Sequence, residues 1–493
     1  MSENDKKKKK LAGLEPAKVF GFFELCSSVP HGSGNTGAIA SVCEEFARVR
    51  GLRCVRDSLN NIVIYKPGTP GYEDHRPVIL QAHLDMVCAT NPGDGVDMKT
   101  APVDLRTDGE WVWAEGTSLG GDDIAGVAMI MAVLDSRDVA HPPIEALFTV
   151  DEETGMFGAK GLDPSLLCGR RMINLDSDEE GVFTVGCSGG QRMDLRLPVG
   201  REPRGEETAA FRLTVSGLLG GHSGAEIDRE RGNSHLLAAR LLSAASAAVP
   251  ELRLDSLTGG SFDNVIPSRT DAVAVVPASR VRSFRSAVDR TAADIAFELS
   301  ASDPGFRAEL TRLDGRELPR RPLTAASTRK LLSMLTVLPN GVRNMSMDIK
   351  GLVQTSLNLG KVRLGRKEFS CTSALRSSIG SQKDYLALQV KTAAGAFGAK
   401  VRFGAGYPAW TFLRESPLRD TASEVYTELF GKKPVIYATH GGLECGILSD
   451  KLGGLDCVSF GPELRDIHSV GEKMNVASVG RTYRFLCATL GRL

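Results

Sequence analysis

Four short apolar runs constrain the fold of this chain more than any other feature. They are Val78-Ile79-Leu80, Ala146-Leu147-Phe148-Thr149-Val150, Met172-Ile173-Asn174-Leu175 and Cys457-Val458-Ser459-Phe460. None alternates apolar with polar residues. A strand with one wet face alternates, whereas a strand covered on both faces does not. Helical stretches separate the runs, notably over 124–134 and 476–490. Strand and helix in alternation predict a three-layer α/β domain. Helices are also predicted over 16–26 and 41–50, the second closed by Gly51. Asn60-Asn61 marks a hairpin between Arg53-Cys54-Val55 and Ile62-Val63-Ile64-Tyr65.

The middle of the chain differs. Strands are predicted at 211–216, 272–276 and 308–313, with helices at 233–248 and 284–299. A second set follows, with helices at 328–338 and 383–397 and strands at 352–359 and 368–373. This reads as an inserted α+β domain over 190–408, built of two related halves. Residues 16–189 and 409–493 then make the first domain, and 1–15 a disordered basic tail. A chain of 493 residues suits two or three domains.

Composition narrows the function. Lys+Arg and Asp+Glu are both 60, so no net basic charge favours nucleic acid or an anionic membrane as the main partner. The longest apolar run, 124–134, is far short of the ~20 residues a spanning helix needs. The lysines at 6–10 are followed by Leu-Ala-Gly-Leu-Glu-Pro, not by the apolar stretch of a secretory signal. The 10 cysteines contain no Cys-x-x-Cys and read as buried free thiols of a reducing cytoplasm. Gly32-Ser33-Gly34-Asn35-Thr36-Gly37 has dinucleotide-loop spacing, with Asp57 beyond it. A helix and Ser27-Ser28-Val29-Pro30 precede it where a strand is required, so no nucleotide site is expected.

Chemistry-bearing residues cluster just past the strands. His83 and Asp85 follow the first run, Glu152 and Glu153 the second, and Asp176 the third. His468 lies in the loop after the fourth, and Asp122 stands before the 124–134 helix. Ligands of open α/β sheets bind outside the carboxyl ends of the strands, which is where these residues would meet. Their types suit two divalent ions, with one Asp bridging and a His and a carboxylate for each ion. Three carboxylates and a hydroxide balance two dications. Imidazole with carboxylate suits zinc, with manganese or cobalt as alternatives. Asp85, two residues from His83, is placed to accept its other ring N–H. Glu152 and Glu153 point apart on a strand end, so one can ligate while the other serves as general base.

Six motifs then occur in order: Gln81-Ala82-His83-Leu84-Asp85-Met86-Val87, Gly120-Gly121-Asp122-Asp123, Asp151-Glu152-Glu153-Thr154-Gly155, Asn174-Leu175-Asp176-Ser177, Gly220-Gly221-His222-Ser223-Gly224 and His440-Gly441-Gly442-Leu443-Glu444-Cys445-Gly446. Together they resemble the aminoacyl-histidine dipeptidases, also called peptidase D or cytosol non-specific dipeptidase, over nearly the whole chain from Pro16. The resemblance implies a three-layer metallopeptidase catalytic domain with an inserted α+β lid that mediates homodimerisation. It implies a cytoplasmic exopeptidase acting on unblocked dipeptides, including Xaa-His and β-alanyl-histidine. By the same resemblance, His83 and Asp176 hold one metal and Glu153 and His468 the other. Asp122 bridges them, Glu152 activates the shared water, and Asp85 orients His83.

In the lid, His222 matches the histidine that such folds supply to the active site. It is a candidate donor to the oxyanion. Asn264 and Arg376 are candidates for substrate binding, the guanidinium suiting a free carboxylate. Glu444 is a candidate for the substrate's amino group. Two positions depart from the family pattern. Asp123 replaces the usual Asn, and Ile467 precedes His468 where Pro is usual. Two other readings stand beside this one: a related amidohydrolase that removes N-acyl groups, and a catalytically silent metal- or peptide-binding protein.

Overall fold

The four doubly covered runs all become strands of one sheet in a computed structural model, which describes residues 10–93 and 95–493. The described chain divides into two compact units. The first holds the residues up to Gly186 together with Phe412–Ala438 and Leu443–Leu493. The second holds Cys187–Thr411 and the short strip Thr439–Gly442, which the sequence had placed with the first. The tail expected over 1–15 lies outside the described residues as far as position 9. Beyond it the chain is ordered: Leu11 is buried, and the main-chain N–H of Lys10 donates to Glu24.

The first unit is built on an eight-stranded sheet. Its order is Arg53–Arg56, Ile62–Lys66, Ile144–Thr149, Val78–His83, Arg171–Asn174, Asp456–Ser459, Val182–Cys187, Val435–Thr439. The four central strands are parallel, with Val78 beside both Ile144 and Arg171, and Asp456 beside Arg171. Their carboxyl ends therefore share one edge of the sheet. Every residue of Val78–His83 and Ile144–Thr149 is buried, which is why these runs lack alternation. The Asn60-Asn61 hairpin pairs Arg56 with Ile62 and extends the sheet antiparallel.

Helix Gly121–Asp135 is buried all round from Asp123 to Leu134, as an apolar core helix should be. Its first residues are not helical, with Asp122 at φ −85 and ψ 104. The regular turn begins at Ile124, and Asp123 caps it, its Oδ1 accepting the Gly126 N–H at 3.2 Å. Helix Val476–Leu490 begins where the sequence places it, with the Asn475 side chain accepting from Ser478 N–H. The helix predicted at 41–50 runs instead over Gly37–Val49, because Ile39 and Ala40 already pack inward. A small four-stranded sheet, in which Leu464–Arg465, Lys473–Asn475, Trp111–Ala114 and Leu105–Thr107 lie in that order, carries the loop that holds His468.

The second unit is a nine-stranded antiparallel sheet. Its main path orders Arg307–Leu313, Thr208–Ser216, Thr270–Pro277, Arg253–Gly259, Val353–Leu364, Glu368–Ser377, Gly189–Pro198, Lys400–Tyr407. Each group of four strands has the spatial order fourth, first, third, second along its own sequence. The two halves thus share one topology, and the second starts from Gly189–Pro198, before the first begins. Helices Ser234–Ala248, Val281–Glu298, Ala325–Val337 and Gly380–Ala396 share one apolar core with one face of this sheet. Gly189–Pro198, Arg253–Gly259 and Lys400–Tyr407 were not anticipated. Gly189–Pro198 does alternate, with Met193, Leu195 and Leu197 buried between Arg192, Asp194 and Arg196. None of the 10 cysteines forms a disulfide, but Cys88 and Cys168 are exposed, contrary to the expectation of buried thiols.

Candidate metal centre

The parallel strands of the first unit deliver His83 at the last residue of Val78–His83, and Asp176 two residues past Arg171–Asn174. Glu152 and Glu153 lie in the turn after Ile144–Thr149. His83 Nε2 lies 3.1 Å from Asp122 Oδ1 and 3.7 Å from Asp176 Oδ1. His468 Nε2 lies 3.3 Å from Asp122 Oδ2 and 2.8 Å from Glu153 Oε1. Asp122 thus stands between two imidazoles, each of which has a second carboxylate of its own.

The outer nitrogen of His83 is held differently from the expectation. Nδ1 is 3.0 Å from the main-chain carbonyl of Asp85 and 3.7 Å from its carboxylate, which is too far for a hydrogen bond. The Asp85 carboxylate instead accepts from the Glu152 N–H (3.0 Å), the Glu153 N–H (3.4 Å) and the Ser33 hydroxyl (2.8 Å). Asp85 therefore orients His83 through its backbone and fixes the two glutamates through its side chain. The glycine-rich segment that failed as a nucleotide loop buttresses this turn, with Gly34 N–H on Asp151.

These residues fit a pair of cations. With Nδ1 against a carbonyl, His83 aims Nε2 at two carboxylates; burial disfavours the charged ring, but Asp176 and Asp122 outweigh it and raise its pKa well above the usual value, so a cation could stand where that proton sits. The buried Oε1 of Glu153 makes no well-formed hydrogen bond, although His468 Nε2 is near. Among the described residues, two donor triads are compact enough to hold an ion, His83 with Asp122 and Glu153 and His83 with Asp123 and Asp176; they share His83, and neither includes His468. The charges are correspondingly strained. Burial pushes Glu152 up to about 9 and Asp176 up to about 6, with neighbouring carboxylates adding to both. Burial opposes ionisation of Asp122, but hydrogen bonds from His468 and His83 hold it well below the usual carboxylate range. The close carboxylates of Asp122 and Glu153 push His468 up to about 10. Asp123, the departure from the family pattern, faces inward. Its Oδ2 accepts the His83 main-chain N–H at 3.1 Å, and burial beside Asp176 raises its pKa.

The remaining candidates form a group in the second unit. His222 lies in the short strand Gly221–His222, paired with Val265–Ile266 next to Asn264. The Asn264 carbonyl accepts the Ser223 N–H at 2.8 Å. His222 Nδ1 accepts the Ala225 N–H at 3.2 Å, so the neutral ring carries its proton on Nε2. Burial and the adjacent Arg376 lower its pKa and favour that neutral form. Arg376 is so near His222 that a methyl on Gly224 would lie 2.8 Å from the imidazole and 3.1 Å from the guanidinium. Arg376 donates to Tyr407 Oη at 3.0 Å and to the His440 carbonyl at 3.4 Å, while its buried Nε has no hydrogen-bond partner.

The pattern that defines peptidase family M20/M25/M40 matches residues 79–492. The chain belongs to this peptidase family. It is 37% identical to the cytosol non-specific dipeptidase of Escherichia coli over 482 residues, 97% of this chain and 98% of that one. The crystal structure of aminoacylhistidine dipeptidase from Vibrio alginolyticus superposes with a TM-score of 0.93 at 33% identity, covering 100% and 99% of the two chains. Aminopeptidase PepT of Bacillus cereus shares the fold, with a TM-score of 0.55 at 16% identity over 97% and 98%.

In this M20 peptidase Glu444, the candidate for the substrate's amino group, has a buried Oε1 without a hydrogen-bond partner. It is fully buried, accepting from Gln81 Nε2 at 2.8 Å and from the Thr149 hydroxyl. Gln81 in turn accepts from Asn174, so these side chains form a polar network, and burial pushes Glu444 up to about 8. Sequence reasoning missed three further residues. His440 is clamped by Ser188 and Ser356 at 2.7 Å each, and burial beside Arg376 lowers it to about 3, leaving a neutral strut. The Tyr407 ring lies flush against Gly190 and Gly442, where any Cβ would come within 2.5 Å of it. Glu472 binds main chain in front of Asp122. The signal for His440 was its Gly-Gly motif, whereas Tyr407 and Glu472 had none.

Proposed function

We propose that the chain is a two-metal dipeptidase that hydrolyses unblocked dipeptides, Xaa-His and β-alanyl-histidine among them. The observation that carries this reading is the Asp122 carboxylate set between His83 and His468 at 3.1 and 3.3 Å. On it, His83 and Asp176 would hold one ion and Glu153 and His468 the other, with Asp122 shared between them. The mixed imidazole and carboxylate donors favour zinc as the native pair. When bound, the ions supply Lewis acidity and lower the pKa of water.

The side chains do the rest. Glu152 takes the proton of the attacking water and hands it to the leaving amine. Asp85 keeps both glutamates in register through their N–H groups. The Nε2–H of His222 donates to the tetrahedral oxyanion. Arg376, with donors to spare, takes the free carboxylate, and Asn264 lines the same substrate site. The second unit acts as lid and as homodimer surface, a reading that exposed Val337, Tyr385 and Leu388 on its helices support. Cysteines outside disulfides fit the reducing cytoplasm. Among the described residues no helix is long and apolar enough to cross a membrane.

The test is a dipeptide panel with metal-stripped protein reloaded with zinc, manganese or cobalt, run beside N-acetyl amino acids. Turnover of free dipeptides only after reloading is expected. Hydrolysis confined to N-acetyl substrates would overturn the dipeptidase reading. A panel inert with every ion would overturn the assignment of the centre.

A further inference from the structure

Glu472 is 2% exposed, and its carboxylate receives four consecutive main-chain N–H groups. Oε2 accepts from Leu119 at 2.9 Å and Gly120 at 3.0 Å; Oε1 accepts from Gly121 at 2.8 Å and Asp122 at 3.3 Å. These donors belong to a stretch that is neither strand nor regular helix. Gly120 has φ 71, and Asp122 is extended before the helix proper begins. Without Glu472 these four main-chain N–H groups, three of them buried, would lose their acceptor. The backbone of Asp122 would then be free to turn its carboxylate away from both histidines.

Glu472 sits four residues after His468, on the same loop between Leu464–Arg465 and Lys473–Asn475. One loop therefore brings both a ligand candidate, His468, and the carboxylate that grips the backbone of the bridging candidate, Asp122. The approach is close. A methyl on Gly121 would lie 3.3 Å from Glu472 Oε1 and 3.1 Å from Leu464 Cδ2.

We propose that Glu472 is a positioning residue that locks Asp122 and His468 into one rigid bimetal cradle. The proposal rests on the two-metal reading above. Both carboxylate oxygens of Glu472 are taken by main-chain N–H groups. It acts through the backbone of residues 119–122, and partners of this kind tune metal affinity by roughly 10–100-fold.

The experiment is divalent-ion titration of metal-stripped wild-type and Glu472→Gln protein with zinc, read calorimetrically, with thermal melts and dipeptide kinetics alongside. The amide keeps the shape but offers one acceptor oxygen to four donors. Expected is a 10–100-fold weaker zinc affinity at one or both sites, with a matching loss in kcat and a KM near wild type. Gly121→Ala, which crowds Glu472 without removing it, should shift zinc affinity in the same direction by a smaller factor. It also serves as the deciding variant if Glu472→Gln does not fold. Zinc affinities and kcat equal to wild type in the folded variants would overturn the clamp, as would a lowered Tm with zinc affinity unchanged. Wild-type protein that binds no ion pair would instead overturn the two-metal reading itself.

Discussion

Glu152 and Arg376 carry the sharpest consequences at the scale of single residues. Glu152 lies beside the ligand candidates and is the acid–base group of the proposed reaction. Glu152→Ala should lower kcat by roughly 10²–10⁴ while two equivalents of zinc stay bound. Activity assays with metal analysis of the same sample check this; a silent variant that has also lost its metals would move Glu152 into the ligand set. Arg376→Ala removes a charge-assisted contact worth about 1.5–3 kcal/mol, so kcat/KM for dipeptides should fall roughly 10–100-fold, mainly through KM. Arg376→Lys should recover little, because the ammonium cannot reproduce a bidentate fork or the bond to Tyr407. A dipeptide amide, which lacks the free carboxylate, should be indifferent to both changes.

At the scale of elements, the start of helix Gly121–Asp135 couples packing to the site. Gly126 lies in the helix, where alanine is normally favoured by about 1 kcal/mol. Here an added methyl would lie 2.5 Å from Asp123 Oδ1 and 2.9 Å from Leu175 Cβ. Asp123 in turn holds the His83 main-chain N–H. Gly126→Ala should therefore destabilise by about 1–3 kcal/mol despite the better propensity, seen as a lower urea midpoint. A raised midpoint would show that Asp123 yields without cost. The helix itself was readable because 124–134 is apolar throughout. The kink before it was not, because its donors are satisfied by Glu472, more than 340 residues along the chain.

Two buried histidines of the second unit should each contribute an acid-sensitive share to the stability of the whole molecule. Burial lowers His235 to about 4 and His440 to about 3, whereas an unfolded histidine titrates near ~6.5. Below ~6.5 the unfolded chain takes up protons that these folded side chains refuse, so their contribution to stability is full above that pH and falls as pH drops towards about 4. The slope approaches ~1.4 kcal/mol per group per pH unit. Urea midpoints at pH 7 and pH 5, compared between wild type and His440→Gln, isolate this contribution: relative to its own value at pH 7, the variant should be more stable at pH 5 than the wild type is. The sequence by itself determined the doubly covered strands, the strand-end placement of His83, Glu152, Glu153 and Asp176, and the family, because burial on both faces and short motifs are local in the chain. Tertiary structure alone decided that Asp85 holds His83 by its carbonyl, that Glu444 lies buried beneath Gln81 and Thr149, and that Tyr407 and His440 brace Arg376. Those outcomes depend on which oxygen lies nearest which donor after distant segments have packed, and no spacing along the chain encodes that distance.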